Sequence, residues 1–222
     1  MTDKTVNDAG DKAANDPWLP MVVIALAQML MSFNVSAIPV SMSGMVNSFN
    51  TPPTTVATAV VMYSLGVSGF VMLGAKLGQR FGSKRFFQIA VSLFLVAMLL
   101  MVLSPTAGIM LAAQGLAGLA GAALVPTLVA LIADHYRGRQ QAKAVGWLGS
   151  ARAIAGVLAF VIVGYVAQIN WRLAFGLLVV QAAVILLMSF KFKPSVGTPR
   201  SEDRWSRRRA GGGGHHPSYF WF

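Results

Sequence analysis

The sequence predicts an all-α integral membrane protein with six transmembrane helices. Three observations carry that expectation. The 222 residues are 55% hydrophobic and only 11% charged, where a water-soluble domain holds about 25% charged residues. Six apolar runs recur along the chain, each near the ~20 residues that cross a ~30 Å hydrocarbon core as helix. The basic residues stand in short clusters between those runs, the placement of a topology signal. The formal charge of +11 therefore reads as orientation, and no nucleic acid partner is expected. The chain has no cysteine, which excludes disulfides, thiolate metal sites and cysteine nucleophiles.

Residues 1–17 are polar and mixed in charge (Asp3, Lys4, Asp8, Asp11, Lys12, Asp16) and read as a cytoplasmic tail. The apolar run that follows is too long for a signal-peptide core, so the first span is expected to stay attached. The runs fall at about 20–46, 56–75, 86–104, 109–133, 144–167 and 173–190, within a membrane domain of 18–193. Inside lipid each backbone amide must be paired within its own segment, and strand-like alternation is absent, so all six are expected to be helices. "NTPPTT" at 50–55 offers a polar cap followed by prolines at early helix positions, and "SPT" at 104–106 breaks the third run from the fourth. Residues 194–222 turn abruptly to arginine, glycine and serine. That tail reads as disordered or as the product of a shifted or truncated reading frame. A lipid-surface anchor built from its arginine cluster and terminal aromatics is the alternative.

Lys and Arg accumulate on the cytoplasmic side of spans. The connection from span two to three (Lys76, Arg80, Lys84, Arg85), that from four to five (Arg137, Arg139, Lys143) and the region after span six (Lys191, Lys193, Arg200) are basic. The one-to-two and three-to-four connections are uncharged, and five-to-six carries only Arg172. Both termini are thus expected in the cytoplasm, in a multi-pass protein of the cell inner membrane.

The stretch "GAKLGQRFGSKRFF" (74–87) places glycines at 74, 78 and 82, a spacing that lets a neighbouring helix approach the backbone closely. Its pattern resembles the signature between helices two and three of the major facilitator superfamily, roughly Gly-x-Leu-x-Asp-Arg-x-Gly-Arg-Lys. Leu77, Arg80, Gly82 and Lys84 match it, while Ala75, Gln79 and Ser83 depart; Gly78 and Arg85 complete the candidate cytoplasmic motif. "QGLAGLAGAALVPTLVALIADHY" (114–136) is similar to the family's fourth helix, including Pro126. "NWRLAF" (170–175) looks like the Trp-Arg-x-x-Phe element that opens the sixth helix in the fourteen-helix drug:proton antiporter branch. The resemblance covers about 18–190. It implies half of a major facilitator fold, two three-helix repeats with substrate held near mid-membrane at the interface with a second half.

The departures are specific. Gln114 stands where the family's fourth helix carries an arginine, Ala117 fills its glutamine slot, and "GVLAFVIVGY" (156–165) keeps only Gly156 and Gly164 of the fifth-helix antiporter motif. Span one lacks the branch's carboxylate. Between Trp18 and Lys191 the only carboxylate is Asp134 and the only histidine is His135, both at the expected cytoplasmic mouth. A buried proton carrier is therefore missing from this half, and coupling would come from a partner half or by another energetic route.

The candidate transport cavity consists of Gln28, Asn34, Gln114 and Arg152. Long amides in lipid are costly to leave unpaired, which marks the first three. Arg152 is the one charge well inside a span, about eight residues or ~12 Å from the start of the fifth run; a bare charge there costs at least ~2.5 kcal/mol on insertion scales. Snorkelling to the headgroups is the competing reading. Ser32 and Ser36, four and eight residues after Gln28, read as interhelical hydrogen-bonding glue. Gly115, Gly118, Gly156 and Gly164 read as helix-packing positions. His215 and His216 in the tail make too small a ligand set, so no metal is assigned. No phosphate-binding glycine loop with Lys-Ser/Thr occurs, and no cofactor is expected.

The expected function is movement of small organic, drug-like solutes by alternating access, as a transporter or half-transporter embedded in membrane lipid. A homodimer or a second six-helix half would supply the other cavity wall. The alternative is a truncated, non-transporting membrane protein or partner-binding remnant. An enzyme is not expected, because no nucleophile, base and orienting acid assemble within the spans.

Overall fold

The computed structural model describes residues 18–136 and 138–191. Both tails, Arg137, Lys193, Arg200, His215 and His216 lie outside the described residues. Within them the chain forms seven α-helices: α1 (Trp18–Val40), α2 (Met42–Phe49), α3 (Pro53–Phe81), α4 (Ser83–Leu103), α5 (Ala107–His135), α6 (Arg139–Ile169) and α7 (Trp171–Phe190). Six are long and apolar enough to cross a membrane, with α2 continuing the first span.

Most helices outrun their apolar stretch, since lipid sets the apolar length whereas hydrogen bonding continues into the headgroup zone. α6 begins at Arg139, five residues before its run, and α3 continues to Phe81. The first span is broken where Pro39, which has no N–H to give, precedes a turn at Ser41; α2 then stops at Asn50, whose φ of 48° is left-handed.

Local chemistry fixes the other ends. Extended Pro52 leads into Pro53 at the first position of α3, where a missing N–H costs nothing. Thr106 caps α5 by accepting the Ile109 N–H at 3.4 Å, and Asn170 caps α7 by accepting the Arg172 N–H at 2.8 Å. Gly82 alone separates α3 from α4, at φ 84° and ψ 142°, a conformation open essentially to glycine.

The helices interlock across the two triplets. α3 packs chiefly on α5 and α6 on α1, while α4 lies against α5 and α7. Burial follows: 61% of the apolar window of α1 and 56% of that of α5 is buried, against 22% for α3 and for α6. α1 and α5 are the central helices. The outer faces of α4 and α7 show Ile89, Val96, Leu99, Leu100, Leu173, Leu177, Val180 and Val184, an apolar surface suited to lipid.

The α3–α5 crossing is a backbone contact. A Cβ at Gly66 would lie 2.9 Å from the Gly118 backbone, and one at Gly118 would collide with the Tyr63 carbonyl. Gly74 sits equally tight on the Ala122 carbonyl.

Candidate functional site at the centre of the bundle

The site starts from two amides 80 residues apart in the chain. Asn34 on α1 and Gln114 on α5 are both fully buried. Asn34 Nδ2 donates to Gln114 Oε1 at 3.1 Å, and Gln114 Nε2 donates back to Asn34 Oδ1 at 3.3 Å. Each amide thus fills the other's exposed need in a setting without water, and the pair ties the two central helices with no charge.

Gln28 lies on α1, buried, and makes no side-chain hydrogen bond among the described residues. Ser32 Oγ donates to the Gln28 carbonyl at 3.2 Å, a bond inside α1 rather than between helices. Ser36 is buried on the same helix.

Arg152 is exposed on α6. It stands 13 residues after Arg139, the first residue of α6, hence ~20 Å along a helix that itself runs ~46 Å. That is deeper than the start of the apolar run implied. It has no hydrogen bond or ion-pair partner among the described residues, and it lies within electrostatic reach of the buried Tyr63 hydroxyl on α3. The exposed residues around it include small and polar ones: Gly146, Gly149, Ser150 and Ala153 on α6, with Ser64, Ser68 and Gly69 on α3. Large apolar residues stand exposed among them: Val145, Trp147, Ile154 and Val157 on α6 and Leu65 on α3.

The glycines divide. Gly118 lies in the α3–α5 crossing and a Cβ at Gly164 would touch the Val40 side chain at 3.4 Å, whereas a Cβ at Gly115 or Gly156 would meet nothing within 4 Å. A side chain at Gly115 or Gly156 thus has open space, although the Gly115 carbonyl itself lies at the crossing, 3.1 Å from where a Cβ at Gly66 would stand.

At the basic end, Leu77 and Gly78 are half-buried on α3, and a Cβ at Gly78 would press on the Phe86 ring at 3.2 Å. Gln79, Arg80 and Arg85 are exposed, and Lys84 is half-buried. Ser83, in a position where the resembling motif has arginine, donates to Asp134 on α5 and so joins the two helix ends.

A second polar knot sits at the opposite end, where the "NWRLAF" element meets α2 and the end of α4. Trp171 Nε1 donates to Ser48 Oγ at 2.8 Å, and its ring packs on Phe49 and Phe175. Arg172 stacks on Trp171, 4.5 Å from the ring centroid, and donates to the Val102 and Ser104 carbonyls at the end of α4. The available signals were the "NWRLAF" element itself and a lone cation in an otherwise uncharged connection.

Six apolar helices in two interlocked triplets, pinned centrally by a neutral amide pair, define a multi-pass membrane bundle. The chain belongs to the Major Facilitator Superfamily, whose sequence model matches residues 24–215. It is 27% identical to puromycin resistance protein pur8 of Streptomyces alboniger, over 77% of this chain and 34% of that protein. It is 26% identical to multidrug resistance protein Stp of Mycobacterium tuberculosis, over 77% of this chain and 32% of that protein. It is 27% identical to drug efflux pump JefA of the same species, over 83% and 36%. The chain thus spans about a third of the length of these curated relatives. Among solved structures it resembles the xylose transporter XylE from E. coli in its inward open conformation, with a TM-score of 0.70 at 15% identity, over 86% of this chain and 52% of that one. A peptide transporter in complex with alafosfalin gives a TM-score of 0.70 at 15% identity, over 86% and 44%.

Proposed function

We propose that this chain forms one six-helix wall of a transporter that moves small, drug-like organic solutes across the cell inner membrane by alternating access. The observation that carries this reading is Arg152: a cation about midway along α6, exposed and without a partner among the described residues, with Gly149, Ser150 and Ala153 exposed beside it. Lipid is a poor neighbour for such a charge. A water-filled pathway against a second six-helix body, either a second half or a second copy of this chain, is a good one. The names of the resistance and efflux relatives support the solute class. Asn34, Gln114, Gln28 and Arg152 are the proposed pathway residues, with the amide pair setting the register of the two central helices.

Both ends of the bundle's chain face the cytoplasm in this reading, with Lys76, Arg80, Lys84 and Arg85 on the inner side. In this reading a proton carrier comes from a different second half, and an assembly of two copies runs by another energetic route, because the described spans hold no carboxylate other than Asp134. The deciding experiment reconstitutes the chain in vesicles, cross-links it and follows the flux of an amphipathic fluorescent drug. Saturable flux that Arg152→Gln diminishes, in cross-linkable assemblies, supports the reading. Cross-linked assemblies with no protein-dependent flux would leave a partner-binding membrane protein instead.

A further inference from the structure

A groove of about 190 Å³ opens on the outer surface of the bundle between α3, α4 and α5. Its lining is wholly apolar and includes Phe70, Leu73 and Leu77 from α3, Ile89 and Leu93 from α4, and Leu119 from α5. From Phe70 to Leu77 it follows two turns of α3, ~10 Å of helix. That is a slot for a chain of methylenes, with nothing in it for a polar solute.

One end of the slot leads to the basic cluster. Arg80 is one turn past Leu77 on α3, and Arg85 is one turn before Ile89 on α4, so the two helices that flank the groove each bring an arginine to its mouth. Both are exposed and have no partner among the described residues. Lys76 and Lys84 add to the positive field, and the one described carboxylate, Asp134, already accepts from Ser83. The mouth is therefore net positive at the depth where phosphate groups lie, and guanidinium is the side chain best matched to phosphate oxygens.

We propose that this groove holds one acyl chain of an anionic glycerophospholipid whose phosphate is bound between Arg80 and Arg85. The apolar slot accounts for the chain, and the paired arginines account for the headgroup. A zwitterionic lipid fits the slot equally but brings its own cation into a basic cluster, so charge sets the preference.

The test titrates the detergent-purified full chain with phosphatidylglycerol or phosphatidylcholine of identical acyl chains, counting retained lipids by native mass spectrometry. One phosphatidylglycerol is expected to be retained at about tenfold lower concentration than phosphatidylcholine, a gap that shrinks as salt is raised. Arg80→Gln combined with Arg85→Gln is expected to erase the gap. Leu119→Trp, which fills the slot from α5, is expected to lower retention of both lipids. Equal retention of the two lipids by the wild-type chain overturns the proposal whatever the variants do, because the arginines then select no headgroup. A preference that survives the double arginine change overturns it as well.

Discussion

Asn34 and Gln114 show what a neutral pair does in a place without water. Removing one partner leaves the other amide buried and unpaired, which costs about 1–3 kcal/mol; removing both leaves an apolar contact. Asn34→Leu and Gln114→Leu are each expected to lower unfolding stability in detergent, with the double variant less damaged than the sum of the two. The coupling expected from such pairs inside a membrane is about 0.6–1.7 kcal/mol, and strictly additive losses would show that the two side chains do not act together. The sequence marked each amide as costly, but spacing along a helix reveals a face and never its partner on a helix 80 residues away. Gly82 was legible in another way, as a glycine between two apolar runs. Its φ of 84° with open space around it makes Gly82→Ala a purely conformational lesion of about 1–3 kcal/mol, measurable as a fall in thermal midpoint without any lost contact.

At the level of helices, the glycine stripe on α5 separates two kinds of position. Gly118→Val is expected to force α3 off α5 and cost about 1–3 kcal/mol or more, whereas Gly115→Ala meets nothing and gains up to ~1 kcal/mol from reduced backbone freedom. Thermal midpoints of the two variants should move in opposite directions. Composition showed small residues along α5, but only the crossing geometry shows which of them another backbone reaches. The knot at α7 gives a second test. Trp171→Phe and Ser48→Ala remove the same hydrogen bond, so each is expected to cost about 0.5–1.5 kcal/mol and the pair together no more than one alone. Arg172→Gln removes charge-assisted bonds to two carbonyls that end α4 and is expected to cost more than either. By charge counting Arg172 is an exception to a topology rule; its guanidinium is occupied in satisfying a helix terminus, which charge counting does not register. Helix ends were likewise read short, because apolarity stops at the lipid boundary while α6 is already wound at Arg139.

For the whole molecule, the six spans followed directly from apolar length, since a ~30 Å core admits few alternatives. Which faces meet lipid was not legible from apolar length: α4 and α7 expose an aliphatic surface, whereas on α3 and α6 exposed large apolar residues such as Met72 and Trp147 stand among exposed glycines and serines. The absence of cysteine makes orientation simple to measure. Thr54→Cys is expected to react with an external impermeant thiol reagent and Gln79→Cys only after the membrane is opened; the reverse pattern would invert the topology. An assembly of two copies of this chain has no mid-span carboxylate among its described residues, so its solute flux is expected to persist when the pH gradient is collapsed.

The exchange of partners between the triplets also bears on how the protein is made. When a ribosome has delivered α1 to α4, the Gly66 and Gly74 face of α3 has no seat, because that seat is on α5, still unsynthesised. Insertion of the early spans therefore yields loosely held intermediates, and the bundle locks only once the fourth crossing arrives and threads between its predecessors.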